Sequence, residues 1–110
     1  RLAEHAGELG RHALARMADM MARHPLIGDV RGLGLFLGIE LVRNRETGER
    51  AVDEAEEVMY RALSRGLSFK LTMGNILTLT PALTITREEL DRALTIIDDC
   101  LKEVEEGLKR

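Results

Sequence analysis

A chain of 110 residues is long enough for one domain, which would bury roughly 60–70% of its unfolded surface without help from disulfides or metal. Hydrophobic residues make up 45% and charged residues 32%, the balance of a soluble globular protein rather than a disordered one. With 16 Lys and Arg against 19 Asp and Glu, and 3% aromatics, there is neither the cationic surplus nor the stacking surface of a nucleic-acid binder.

The first 24 residues place Leu2, Ala6, Leu9, Ala13, Met17, Met20 and Met21 on or near one helical stripe, and Pro25 stops the helix at His24. The methionines read as gap-fillers in a core or a subunit contact rather than as an adaptable binding surface. Next comes Ile27-Gly28-Asp29-Val30-Arg31-Gly32-Leu33-Gly34 and then Leu35 to Val42. In the second run Leu35, Leu37, Ile39 and Leu41 share one strand face, which needs helices laid on it. On the other face Gly34 and Gly38 carry no side chain and let something pack closely. Residues 43–50 read as a charged loop turning at Gly48.

Asp53 with Glu56 predicts the N-cap of a second helix, whose buried stripe is Val58, Met59, Ala62 and Leu63, and Gly66 suits its left-handed end. Leu67–Leu71 and Ile76–Thr80 read as strands joined by a turn at Gly74-Asn75, the second stopped by Pro81. Thr86 and Glu89 form a capping box for the last helix, with Ile85 and Leu90 as its hydrophobic staple. Leu90, Leu94, Ile97, Leu101, Val104 and Leu108 recur at 4-3-4-3-4 spacing as its core stripe. The expected fold is therefore α/β, or α+β-like: a single domain over 1–110 in the order α-β-β-α-β-β-α. Its small, mainly antiparallel sheet of three or four strands is covered on one face by three helices.

These residues offer no catalytic constellation of their own. His5 and His12 lie two helical turns apart, roughly 10 Å, too far to share a metal, so His5, His12 and His24 read as solvated helix-surface residues and no metal site is expected. Cys100, the single cysteine, fits a reducing, cytoplasmic setting. With Asp98 and Asp99 beside it and no basic partner opposing them, it reads as a small semi-buried residue and not a nucleophile. Asp98/Asp99 and Glu56/Glu57 read as solvated faces. Lys70, Lys102 and Lys109 are the only lysines, and none has the enclosed setting of a Schiff-base lysine. Gly32-Leu33-Gly34 leads into a strand, not a helix, and so is no dinucleotide fingerprint. No run approaches the ~20 apolar residues of a membrane span.

Three segments carry a resemblance. Val30-Arg31-Gly32-Leu33-Gly34-Leu35 with Gly38-Ile39-Glu40 resembles the V-R-G-x-G-L…G-x-E hairpin of class III aminotransferases, pyridoxal-phosphate enzymes of fold type I. Gly66-Leu67-Ser68 resembles their next helix-to-strand step. Asn75 to Ile85 is similar to their N-[VI]-L-R-x-x-P-P-L-T-[IV] strand. The resemblance covers nearly the whole chain and implies the C-terminal small domain of such an enzyme, a homodimer that moves an amino group between an amine or amino acid and a keto acid. The Schiff-base lysine and the pyridoxal-phosphate contacts belong to the family's large domain, so no position here inherits them, and no cofactor is expected to bind these residues alone. The absence of an initiator Met fits a chain cut from something longer.

Thr78 departs from the pattern, standing where the family usually has an arginine that clamps the substrate carboxylate. A guanidinium fork gives two charge-assisted bonds where a threonine gives one neutral bond. Thr78 is thus the one candidate substrate-binding residue. The exchange favours amine transaminases, amino-acid racemases or epimerases and dialkylglycine-decarboxylase-like enzymes over 4-aminobutyrate or ornithine transaminases, unless an arginine elsewhere does the same work. The alternative is a free-standing ligand-binding or dimerisation module without catalysis.

Overall fold

The computed structural model describes residues 1–109. In chain order the elements are α1 (Leu2–Arg23), β1 (Ile27–Leu33), β2 (Phe36–Asn44), β3 (Glu49–Arg50), α2 (Val52–Ser64), β4 (Lys70–Thr72), β5 (Ile76–Leu79) and α3 (Arg87–Leu108). All strand pairs are antiparallel, and the sheet runs β1-β2-β5-β4, with β3 paired to β2. The expected class and element order hold. The sheet gains one short strand, because the charged segment after Asn44 turns back far enough for Arg50 to pair with Val42.

Alternation along the strands builds the core. Leu37, Ile39 and Leu41 of β2 and Leu77 and Leu79 of β5 point to one side, where they form a single cluster with Leu9, Ala13, Met17 and Met20 of α1, Ala55, Val58 and Ala62 of α2, and Leu90, Leu94, Ile97 and Leu101 of α3. Met17, Met20 and five of the six stripe residues of α3 are buried as expected, while Met21 is half-buried and Leu108 is exposed. The capping box is present in both directions: Thr86 Oγ1 accepts from the Glu89 amide at 3.1 Å, and Glu89 accepts from the Thr86 amide at 2.9 Å.

Two boundaries differ from expectation. Helix α2 starts at Val52 with Ala51 as its N-cap, not at Asp53, and no side chain caps it. Ala51 is fully buried and its amide donates to the Leu41 carbonyl at 3.1 Å, so the chain enters the helix straight from the sheet. Asp53 and Glu54 both bond Arg43 instead of a cap amide. The buried stripe of α2 is Glu54, Ala55, Val58 and Ala62, with Leu63 exposed. The strand expected over Leu67–Leu71 begins only at Lys70, because the Leu67 amide is used to close α2 on the Ala62 carbonyl while Gly66, at φ 88°, donates to Leu63.

The histidines are not solvated surface residues. His24 is 4% exposed, its Nδ1 2.6 Å from Glu105 and its Nε2 bonded to Asp98. His12 donates to Asp91 at 2.6 Å and accepts from Arg87, and His5 donates to the Ile85 carbonyl at 2.8 Å. They tie α1 to α3 and the turn before it. Asp98, read as a solvated face, is a partner in this tie.

Candidate functional site

The helices leave the other face of the sheet open, and the strand register fixes what stands there. Arg31 of β1 lies opposite Gly38 of β2, Gly38 opposite Thr78 of β5, and Thr78 opposite Lys70 of β4. Directly paired residues share a face, so these four form one row across the open side. Gly38 has no side chain, and the row therefore dips between Arg31 and Thr78. Around the dip is a cleft of about 280 Å³ whose apolar walls are Leu33 and Phe36 and whose far edge is Thr72 and Thr78. Leu33 is 83% and Phe36 61% exposed.

The polar groups at the cleft are already bonded to one another. Arg31 Nε donates to Asp29 at 2.9 Å and Nη2 donates to Glu40. The hydroxyls of Thr72 and Thr78 are 2.7 Å apart, and Thr78 also donates to the Ile76 carbonyl at 3.3 Å. Two hydroxyls hold two protons; with Thr78 donating to Ile76 and Thr72 to Thr78, neither is left for a ligand, against the five N–H groups of a free guanidinium. Arg31 already faces two carboxylates through Nε and Nη2, so its positive charge is offset within the sheet.

Thr78, the residue singled out in the sequence, sits on this face beside Gly38. Leu33, Phe36, Thr72 and Arg31 were not singled out as site residues. The signal available was the alternation that sends Gly38 and Phe36 away from the leucine face. The turn just before β5 ends at Asn75, buried, whose side chain donates to the Leu41 carbonyl at 2.8 Å while its own carbonyl accepts from the Leu41 amide. That pair of hydrogen bonds holds the register that brings Thr78 to Gly38.

Residues 1–101 match the family model described as aminotransferase class-III. The chain belongs to the class III aminotransferase family. The leucine/methionine racemase of Thermococcus litoralis is 45% identical over 106 residues, 96% of this chain and 24% of that protein. The isoleucine 2-epimerase of Lentilactobacillus buchneri is 44% identical over the same shares. The crystal structure of a Bacillus anthracis aminotransferase superposes with a TM-score of 0.86 at 33% identity, over 93% of this chain and 24% of that one. This class III chain thus spans about a quarter of the length of the relatives it matches.

The family is pyridoxal-phosphate-dependent, and the residues present do not fit the anchoring of that group. Lys70, on edge strand β4, and Lys102 and Lys109, at α3, are all exposed, whereas a Schiff-base lysine needs a desolvated or charge-tuned setting. Cys100 is no alternative nucleophile. It is fully buried rather than semi-buried, and burial pushes its thiol up. A basic partner does oppose this, contrary to expectation: Arg65 reaches its Sγ at 3.2 Å, without reversing the direction. Among the described residues, no three His, Cys, Asp or Glu side chains gather as metal ligands, and no helix is long and apolar enough to cross a membrane.

Proposed function

We propose that this chain is the C-terminal small domain of a pyridoxal-phosphate-dependent enzyme about four times its length, a cytoplasmic homodimer. Its substrate is an amine or an aliphatic amino acid, whose amino group is passed to a keto acid or whose amino-bearing carbon is inverted. The domain closes over the substrate with its open sheet face, and the Schiff-base lysine comes from the rest of the parent chain. One observation carries this reading: a helical side that is complete is joined to a sheet face that is bare around Thr78, while every lysine is at the surface. The cofactor supplies the stabilisation of negative charge at the substrate carbon. These residues exclude water and shape the space beside it.

Thr78 sets what the substrate presents to this face. A threonine whose hydroxyl is shared with Thr72 offers little to a carboxylate, so the substrate turns another part of itself towards β5. In the parent enzyme, Thr78→Arg should shift kcat/KM towards carboxylate-bearing amines by about ten-fold, the worth of one charge-assisted hydrogen bond. Steady-state kinetics on a carboxylated and a neutral amine measure it, and an unchanged preference counts against the role of Thr78. The second reading, a free-standing module, is favoured by the complete core and the capping box of α3. A reading frame that starts at Arg1 would support it, and one that continues upstream to a lysine-bearing domain would remove it.

A further inference from the structure

We infer that the notch at Gly38 is the subsite for the aliphatic side chain of the substrate, an inference that rests on reading this chain as the substrate-facing small domain. The notch exists because Gly38 lies in register between Arg31 and Thr78 with no side chain to fill the row. Its walls are apolar, and every polar group on its border already has a partner within the sheet: Arg31 has Asp29 and Glu40, and Thr72 has Thr78. An anionic group entering there meets an arginine whose charge Asp29 and Glu40 already offset, whereas an aliphatic group meets the apolar walls of Leu33 and Phe36. The volume, about 280 Å³, is below that of a whole ligand pocket and suits one part of a small substrate. Leu33 and Phe36 are held out on the turn between β1 and β2, where the core makes no use of them.

Gly38 is also a position where the fold tolerates a side chain. A Cβ there would meet only Ile76 Cγ2, at 3.5 Å, an ordinary contact. Gly38→Ala therefore narrows the notch without disturbing the sheet, and Leu33→Ala removes a wall that the core does not need.

Both variants would be made in the parent enzyme, with kcat/KM measured for alanine, 2-aminobutyrate, leucine and methionine and thermal midpoints recorded. One methylene in an apolar pocket changes specificity by about ten-fold or more. Gly38→Ala should therefore lower leucine and methionine turnover at least that much relative to alanine, with the midpoint kept. Leu33→Ala should lower kcat/KM for the two long substrates relative to alanine. An equal loss on all four substrates, or no loss, overturns the subsite. If Gly38→Ala does not fold, Leu33→Ala decides, and an unchanged leucine-to-alanine ratio overturns it. A wild-type parent that turns over none of the four sinks the enzymatic reading as well, whereas an active parent with unaltered ratios removes the subsite alone.

Discussion

Asp98 accepts from His24 and, through both oxygens, from Arg23 at 3.2 and 3.0 Å. Burial pushes its carboxyl up, but the hydrogen bonds from Arg23 and His24 and the attraction of both groups outweigh this and hold it below the usual carboxylate range. A carboxyl whose folded value is lowered contributes stability above its unfolded value and loses it as pH falls through the folded one. Asp98→Asn should therefore cost about 2 kcal/mol near neutral pH, the scale of a charged hydrogen bond. The cost should shrink steadily below about pH 4. Urea titrations at pH 7 and at pH 3 measure it, and a cost that does not change with pH would contradict this role. None of this was legible in the sequence. The partners of His24 lie 74 and 81 residues away, and a helical window around His24 shows only a polar residue before Pro25. The strand position of Thr78, by contrast, was legible because its motif is local. The groups that complete its surroundings lie on other strands, reached only through the register.

At the scale of elements, α3 was legible almost to the residue, since its capping box and 4-3-4 spacing are local and agree with its packing. The start of α2 was not, because Ala51 is held by a bond to β2 and no nearby side chain marks that contact. Helix α1 holds another tertiary constraint in Gly10. It is buried against the turn between β1 and β2, and a Cβ there would lie 2.1 Å from the Gly34 carbonyl oxygen. Alanine is the better helix former by about 1 kcal/mol, so propensity alone predicts that Gly10→Ala stabilises. The clash is with backbone, which cannot swing aside, and overpacking of this kind costs about 1–3 kcal/mol. We predict a net loss of stability in chemical denaturation. A gain would mean that α1 does not approach the turn this closely.

The whole molecule is finished on one side and unfinished on the other. The helical side holds an uninterrupted core, while the sheet side leaves Leu33 and Phe36, paired across β1 and β2, each more than 60% exposed. Grouped apolar surface of this kind associates when nothing covers it. The 110-residue chain alone should therefore sediment as dimers or larger species, and replacing Leu33 and Phe36 with lysine should return it to monomer without lowering its thermal midpoint. A wild-type chain that stays monomeric at high concentration would count against an interface on this face. The claim on which the functional account rests is that the reactive lysine lies outside these residues. Reduction of the 110-residue chain with borohydride in the presence of pyridoxal phosphate, followed by intact-mass measurement, tests it most directly. The account predicts no stoichiometric adduct at Lys70, Lys102 or Lys109. One pyridoxyl group per chain, held at a single lysine, would contradict it.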